Sequence, residues 1–303
     1  MQADYSSLES RVLGLVAQDD VITQGFLDGK DTHKETASIM NGIPYEDVNK
    51  TQRQQAKAIT FGLLYGKGIG ALAHDLDVSA DEAQRLMDKY FETKPKVHEF
   101  VTQSQERAKV NGYVETMQGS RRQLKDIWNK RKEAESLRQV VNTTIQGSGA
   151  YFTNLSVVML QEYLNKMNKK SKLILTVHDS IVMDCPRDEY QEMVKVMKYV
   201  MENLPIPWAQ YNLNGETITY PIVADVELGL NYKDAVDADL EMINTFNTLE
   251  GYVKFEKDKA KLTDYFDDKR FGDYQNDNGE AKEKYEKAME IIENSIDNYR
   301  NLV

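Results

Sequence analysis

Three short segments carry side chains whose types and spacing can do chemistry. The first is Asp4-Tyr5-Ser6-Ser7-Leu8-Glu9-Ser10-Arg11. An aspartate where a strand gives way to a helix can aim its carboxylate into a cleft, though an aspartate before a helix also serves as an N-cap. The second runs from Arg53 to Gly66. In it Arg53, Lys57, Phe61 and Tyr65 follow one another at steps of four, along one slowly rotating helix face. Two cations and two aromatics on one stripe suit a triphosphate and a stacked base. The same pattern also suits a helix whose aromatics are core and whose cations are solvated. The third is Val177-His178-Asp179-Ser180, polar residues at the tip between two apolar, β-rich runs. Such residues often form only a turn, but an aspartate there can also hold a metal over a sheet. Asp4 and Asp179 are then two carboxylates of one divalent-cation site. Paired metals of this kind clamp the attacking and leaving oxygens of an in-line phosphoryl displacement, while Lys57 and Arg53 neutralise the transferring phosphates.

The elements that must position these groups are mainly helical. The pattern predicts a strand end running into a helix over 5–18, helices over 31–41 and 46–65, and a helix from the Ser79/Glu82 capping box to Lys94. Pro95 opens another helix to Asn111, and Gly112 to Leu124 reads as a hairpin over Gly119. Residues 132–168 form a long helical stretch, loosened at Gly147 and Gly149. Leu173–Val177 and Ile181–Cys185 make a hairpin with His178-Asp179 at its tip. A helix over 187–203 and a strand over 222–227 follow. Residues 237–303 read as an appended acidic helical module. The fold class is therefore α+β, mainly helical.

Composition first points away from nucleic acid. The 303 residues hold 38 Lys and Arg against 49 Asp and Glu, a net charge of -11, whereas nucleic-acid binders usually show a basic surplus. The charge is uneven, however. Residues 237–303 carry 17 acidic and 10 basic side chains, while residues 107–138 carry nine basic and four acidic ones. That local surplus is either a solvated face or a phosphate-binding strip. The 41% hydrophobic content and 17 tyrosines provide for a packed core and argue against disorder. A single cysteine, Cys185, excludes a disulfide framework and a cysteine zinc site. Four histidines leave carboxylates as the metal ligands to expect, which suits magnesium or manganese. There is no membrane-length apolar run and no signal-peptide layout. A reducing, cytoplasmic compartment is expected.

Taken together, the three segments resemble motifs A, B and C of the family A DNA polymerases, the bacterial polymerase I and phage polymerase family. Asp4, Tyr5, Ser6, Glu9 and Arg11 match D-Y-S-x-x-E-x-R. Arg53, Lys57, Phe61, Gly62, Tyr65 and Gly66 match R-x-x-x-K-x-x-x-F-G-x-x-Y-G. Val177, His178 and Asp179 match the start of V-H-D-E. A further segment, Arg138 with Asn142, Gln146 and Gly147, and the stretch from Gly119 to Ile127 with Arg121 and Arg122 also resemble family segments. The resemblance covers roughly residues 1–236. It implies right-hand polymerase fingers with half of an antiparallel palm sheet: palm at 1–20, fingers at 21–130, palm again at 131–236, and the extension at 237–303.

The roles it implies are as follows. Asp4, Asp179 and the Tyr5 carbonyl hold two Mg2+ ions, with Mn2+ as an alternative. Glu9 excludes ribonucleotides by crowding the sugar. Arg53 and Lys57 hold the dNTP, with Lys57 as general acid. Phe61 packs against sugar and base, and Tyr65 sits at the template position. Arg138, Asn142, Gln146, His178, Arg121 and Arg122 touch primer-template DNA. Two features depart from the family. Ser180 replaces the glutamate that usually follows the motif C aspartate. Asp4 also stands three residues from Met1, so the resemblance implies a thumb and remaining palm supplied by an N-terminal partner fragment, without which the chain is inactive. The His-Asp-Ser wording also occurs in phage-type RNA polymerases, but Phe61-Gly62 and Glu9 favour DNA synthesis. The competing class is a non-catalytic remnant or accessory DNA-binding subunit, for which Ser180 is the only sign.

Overall fold

The computed structural model describes residues 1–213, 215–267, 279–300 and 302. Strand β1 (Gln2–Tyr5) leads through Ser7, in left-handed conformation, into α1 (Leu8–Ala17). Helices α2 (Asp20–Leu27), α3 (Thr32–Asn41), α4 (Lys50–Leu64), α5 (Ile69–Leu76), α6 (Ala80–Thr93) and α7 (Pro95–Asn111) follow. Next come the hairpin β2 (Tyr113–Glu115) and β3 (Arg121–Gln123), the long α8 (Glu133–Lys166), β4 (Lys172–Val177), β5 (Ser180–Asp184) and α9 (Tyr190–Glu202). A second hairpin, β6 (Gln210–Leu213) and β7 (Glu216–Thr219), precedes β8 (Ala224–Leu228) and β9 (Val236–Asp237). The extension contributes α10 (Leu249–Asp267), α11 (Glu280–Asn294) and α12 (Ile296–Tyr299). The mainly helical α+β class read from the sequence is what the chain adopts, although the part of the extension over 268–278 lies outside the described residues.

Two compact units divide the chain. One comprises Met1–Ser6, Ser156–Asn203 and Val223–Val303, and the other Ser7–Leu155 and Leu204–Ile222. This parts the chain differently from the sequence-based segments. Residues 7–20 and 131–155 fall with the helical unit, because α1 packs on α2 and α7 there.

The first unit is built on an antiparallel sheet in the order β4-β5-β1-β8-β9. Its alternation is clear in β1, where Ala3 and Tyr5 are buried and Asp4 faces out. The Tyr5 hydroxyl shares a hydrogen bond with Ser156 Oγ (2.7 Å) and donates to the Met201 carbonyl (3.0 Å), tying β1 to α8 and α9. Residues 236–255, where the extension begins, pack on this unit. Strand β9 pairs with β8, Gln191 Nε2 donates to the carbonyls of Ile243 and Phe246, and Phe246, Tyr252 and Phe255 form a buried aromatic cluster joined by Tyr299. The other edge strand, β4, is bare. Ile174, Leu175 and Val177 are 62%, 50% and 40% exposed.

In the second unit, α4 begins at a capping box of Asn49 and Gln52 and buries Ala56, Ile59, Thr60 and Leu64. The expected helix over 46–65 therefore starts at Lys50, after a 3-10 turn at Tyr45–Asp47. Its C-terminus lies tight against α8. Gly66 has φ +63°, and a Cβ there would stand 2.7 Å from the Arg138 carbonyl oxygen. Helix α8 passes through Gly147 and Gly149 unbroken. Gly147 instead lets the hairpin approach, since a Cβ there would meet Thr116 at 2.5 Å and Gln118 Nε2 donates to the Gly147 carbonyl.

Candidate active site

In the sheet unit, Asp4 stands opposite Ser180 of β5 on one side and Asp225 of β8 on the other, and Gln2 stands opposite Glu227. Residues two apart share a sheet face, so Asp4, Asp225 and Glu227 lie on one face. They line a cleft of about 530 Å³ together with Lys198 and Asp237. Asp4 is therefore not an N-cap; that position belongs to Ser7, which makes no side-chain capping bond. Asp179 follows His178, which has φ 55°, at the turn between β4 and β5. Partial burial, and then the charge and hydrogen bond of Asp179 with the charges of Asp225 and Glu227 behind it, push the Asp4 carboxyl up to about 6. Carboxylates crowded in this way are relieved by a divalent cation. Among the described residues no three such side chains converge as a closed metal cage. The donor set fits magnesium, which binds through one or two carboxylates and keeps other positions for water and substrate phosphate. Tyr5 turns its side chain inward, leaving only its backbone to such a centre. Ser180 is buried, and its hydroxyl donates to the Val177 carbonyl, so it closes the turn where a glutamate stands in the family.

In the helical unit, Arg53, Lys57 and Phe61 are part-exposed and Tyr65 is 44% exposed. The stripe lies off the buried side of α4, so these aromatics are not core. Phe61 and Tyr65 stack at 5.9 Å, and the Lys57 ammonium lies 5.6 Å from the Phe61 ring centre. Tyr65 donates to Glu9 Oε1 at 2.8 Å. Arg53 grips Asp31 through Nε (2.7 Å) and Nη2 (2.6 Å), while the other Asp31 oxygen caps α3. Arg11 is buried, stacks on Phe26 at 4.1 Å and donates to the Pro221 carbonyl at 2.6 Å, which is a structural role.

One member of this cluster escapes the sequence reading. His33 is buried at the start of α3 with its ring 5.6 Å from that of Phe61. Burial, followed by the charges of Arg53, Lys57 and Lys94 against the opposing pull of Asp31, brings its imidazole down to about 4. It is therefore neutral at pH 7, with a proton on one nitrogen to donate. The only signal in the sequence is a histidine two residues after a capping aspartate, which does not reveal a partner 28 positions away.

Arg138, Asn142 and Gln146 are one helical turn apart on α8, and Asn142 Nδ2 donates to the Leu64 carbonyl. Arg121 is held by Glu115 (2.6 Å) over the Tyr113 ring, and Arg122 by Thr143 and Gln139. His178 is exposed in the other unit. The structure thus brings Asp4 to Asp179, and Glu9 to the motif B stripe. Asp4 and Asp179 belong to one compact unit and the stripe to the other.

A family model described as DNA polymerase family A matches residues 1–234. A DNA polymerase from Bacillus phage SP01 is 35% identical over 281 residues, covering 88% of this chain and 30% of that protein. DNA polymerase I of Caldicellulosiruptor bescii is 34% identical over 234 residues, 77% of this chain and 26% of its own length. Thermostable DNA polymerase I of Thermus aquaticus is 35% identical over 203 residues, 66% of this chain and 24% of its own. The chain therefore spans less than a third of the curated relatives it matches. A solved structure, the POL domain of Pol1 from M. smegmatis in complex with DNA primer-template and dNTP, superposes with a TM-score of 0.69 at 26% identity, over 77% of this chain and 40% of that one. Members of this family generally use divalent metals, and no described helix is long and apolar enough to cross a membrane. With its motif residues in these positions and the family match running from Met1 to Asp234, the chain belongs to the family A DNA polymerases.

Proposed function

We propose that the chain carries out the nucleotidyl-transfer step of template-directed DNA synthesis. The 3′-hydroxyl oxygen of a primer bonds to the α-phosphorus of a dNTP, the bond to pyrophosphate breaks, and the hydroxyl proton is released. The observation that carries this reading is the Asp4–Asp179 pair; partial burial and then the neighbouring Asp179 raise Asp4 to about 6, a crowding that a divalent cation would relieve. Magnesium bound there supplies charge stabilisation at the attacking and leaving oxygens. Arg53, Lys57 and the neutral His33 receive the triphosphate, and Lys57 protonates the leaving pyrophosphate. Phe61 supports the sugar and base, Tyr65 meets the template base, and Glu9, held by Tyr65, crowds the sugar 2′ position. Arg121, Arg122, Arg138, Asn142, Gln146 and His178 track the primer-template.

The bare β4 edge supports a partner. An exposed strand edge carrying Ile174, Leu175 and Val177 is a surface that soluble proteins ordinarily cover. In this reading its cover is an N-terminal polymerase fragment bearing the thumb.

Primer extension on a primed template, with and without that fragment, tests the proposal. Mixing restores extension in Mg2+, and Asp179→Ala abolishes it. Extension by the chain alone overturns the partner requirement. Failure of every mixture, with DNA binding intact, favours the accessory-subunit reading.

A further inference from the structure

Trp128 is 68% exposed, yet it is pinned in place. Its indole Nε1 donates to the Lys109 carbonyl at 2.8 Å. Its six-membered ring lies against Gly112, the left-handed C-cap of α7, where a Cβ would come within 2.5 Å of Cη2. A small core of Ala108, Val114, Leu124, Ile127 and Val140 anchors the turn from which it projects. Leaving an indole in water forgoes much of the burial that such a large side chain offers. Fixing it there as well gives up rotamer freedom with little packing in return. A plane both exposed and immobilised is prepared for something flat.

Its surroundings say what. Trp128 sits inside the most basic stretch of an acidic chain, nine cations against four acids over 107–138. The acids nearest to it in sequence are already engaged, Asp126 with Lys132 and Glu133 with Lys109. Arg107, Lys125, Lys130 and Arg131 are exposed and make no ion pair among the described residues. Lys125, Lys130 and Arg131 lie within three residues of Trp128 in sequence, and an aromatic plate accompanied by uncompensated cations is how proteins hold single-stranded nucleic acid, with a base on the ring and phosphates on the cations. Duplex DNA offers the same phosphates, but its bases are already stacked and cannot use the plate.

We infer that Trp128, with Lys125, Lys130 and Arg131, is a stacking platform for single-stranded DNA. This deepens the reading of the protein as one that acts on primed DNA, and it assigns these residues to the unpaired strand.

The test is direct binding of a short oligo(dT) to the full chain at low salt, followed by tryptophan fluorescence. A base stacked on Trp128 quenches its emission, and blunt duplex of equal length does not. Trp128→Ala removes the quench, leaving the emission of Trp208, and weakens oligo(dT) binding by between about fivefold and a hundredfold. Trp128→Phe keeps most of the affinity. Lys130→Gln with Arg131→Gln flattens the salt dependence, by roughly 0.7 in log-log slope for each phosphate no longer neutralised. The proposal is overturned if oligo(dT) leaves the emission unchanged, if duplex quenches equally, or if Trp128→Ala binds as wild type. The last result, with Trp128 instead capturing a polypeptide, marks a protein-docking surface. Asp179→Ala separates this idea from the polymerase reading, because it stops extension and leaves the quench intact. Quenching without extension under any condition sinks the polymerase reading alone, and extension without quenching sinks the platform alone.

Discussion

At the sheet, Asp4 is partly buried and crowded by Asp179, Asp225 and Glu227, and its carboxyl rises to about 6. In the helical unit, His33 is buried and, against the pull of Asp31, crowded by Arg53, Lys57 and Lys94, and its imidazole falls to about 4. Each unit gathers charges mainly of one sign, with Lys198 beside the acids and Asp31 beside the cations, and perturbs one member of its cluster. Groups perturbed in this way by like charges are characteristic of functional sites. The means of placement also differ. The acids are set by strand register, Asp4 opposite Asp225, whereas the cations of α4 are set by helical period and one half-buried salt-bridge partner, Asp31.

The largest effect that can break this comparison is on activity. Lys57 makes only a long approach to the Phe61 ring, with no ion pair among the described residues, so its charge remains available. Lys57→Ala is expected to slow single-turnover extension about a hundredfold to a thousandfold, the usual cost of removing one preorganised charge partner. Lys57→Arg recovers part of that loss. An unchanged rate would remove the stripe from the site.

The next effect is on stability. The folded imidazole of His33 is depressed below its unfolded value near 6.5. Its contribution is therefore complete above pH 6.5 and is lost as pH falls toward 4, because the unfolded chain takes up the proton first. The full difference is of order 3 kcal/mol. Chemical denaturation of wild type and His33→Gln across pH 4–7 isolates it. The variant loses this component of the slope. Parallel curves would mean that His33 is neither buried nor crowded in solution.

How far the sequence revealed these clusters depended on how local the signal was. The α4 stripe was legible because helical period alone lines up Arg53, Lys57, Phe61 and Tyr65, whereas the start was read four residues early, across the 3-10 turn that precedes the Asn49 capping box. The β4–β5 turn was legible from apolar runs flanking His178-Asp179. Asp4 was ambiguous between N-cap and strand, since only its pairing with Ser180 and Asp225 decides, and both partners are far along the chain. His33 was invisible for the same reason, as nothing local joins it to Phe61. The glycines of α8 misled, because Gly147 looks like a weak point in a helix and is in fact a contact for Thr116. The extension read as an appended acidic helical module, and nothing local showed that Phe246, Tyr252 and Phe255 build a core with α9 at their side.

A smaller effect sharpens the sheet half of the comparison. Asp4 has a folded value raised above its unfolded one, so ionising it costs stability as pH rises from about 4 through 6. The group is substantially solvated, and screening reduces the cost to about 1 kcal/mol. Asp4→Asn is expected to stabilise the protein by that amount at pH 7 and by nothing at pH 4, while abolishing extension. Stabilisation bought with lost activity is the mark of a functional charge cluster. Destabilisation at pH 7 would mean instead that Asp4 serves the fold.

The smallest effect tells whether the centre has two carboxylates or three. Asp225 sits directly across β1 from Asp4, on the same face, and like charges so placed repel by a few tenths of a kcal/mol. Ser180 leaves the family's outer glutamate position without a carboxylate, which makes Asp225 the nearest candidate to replace it by register. If Asp225 is only a neighbour, Asp225→Asn raises stability slightly at pH 7, lowers the Asp4 value, and leaves the Mg2+ concentration needed for half-maximal extension unchanged. If Asp225 has taken over the outer role, the same substitution raises that concentration several-fold while the stability gain stays the same. The two readouts separate because repulsion acts on the free protein, whereas an outer ligand acts only on the occupied centre. A large loss of stability would contradict both and would place Asp225 among the groups that hold β8 to β1.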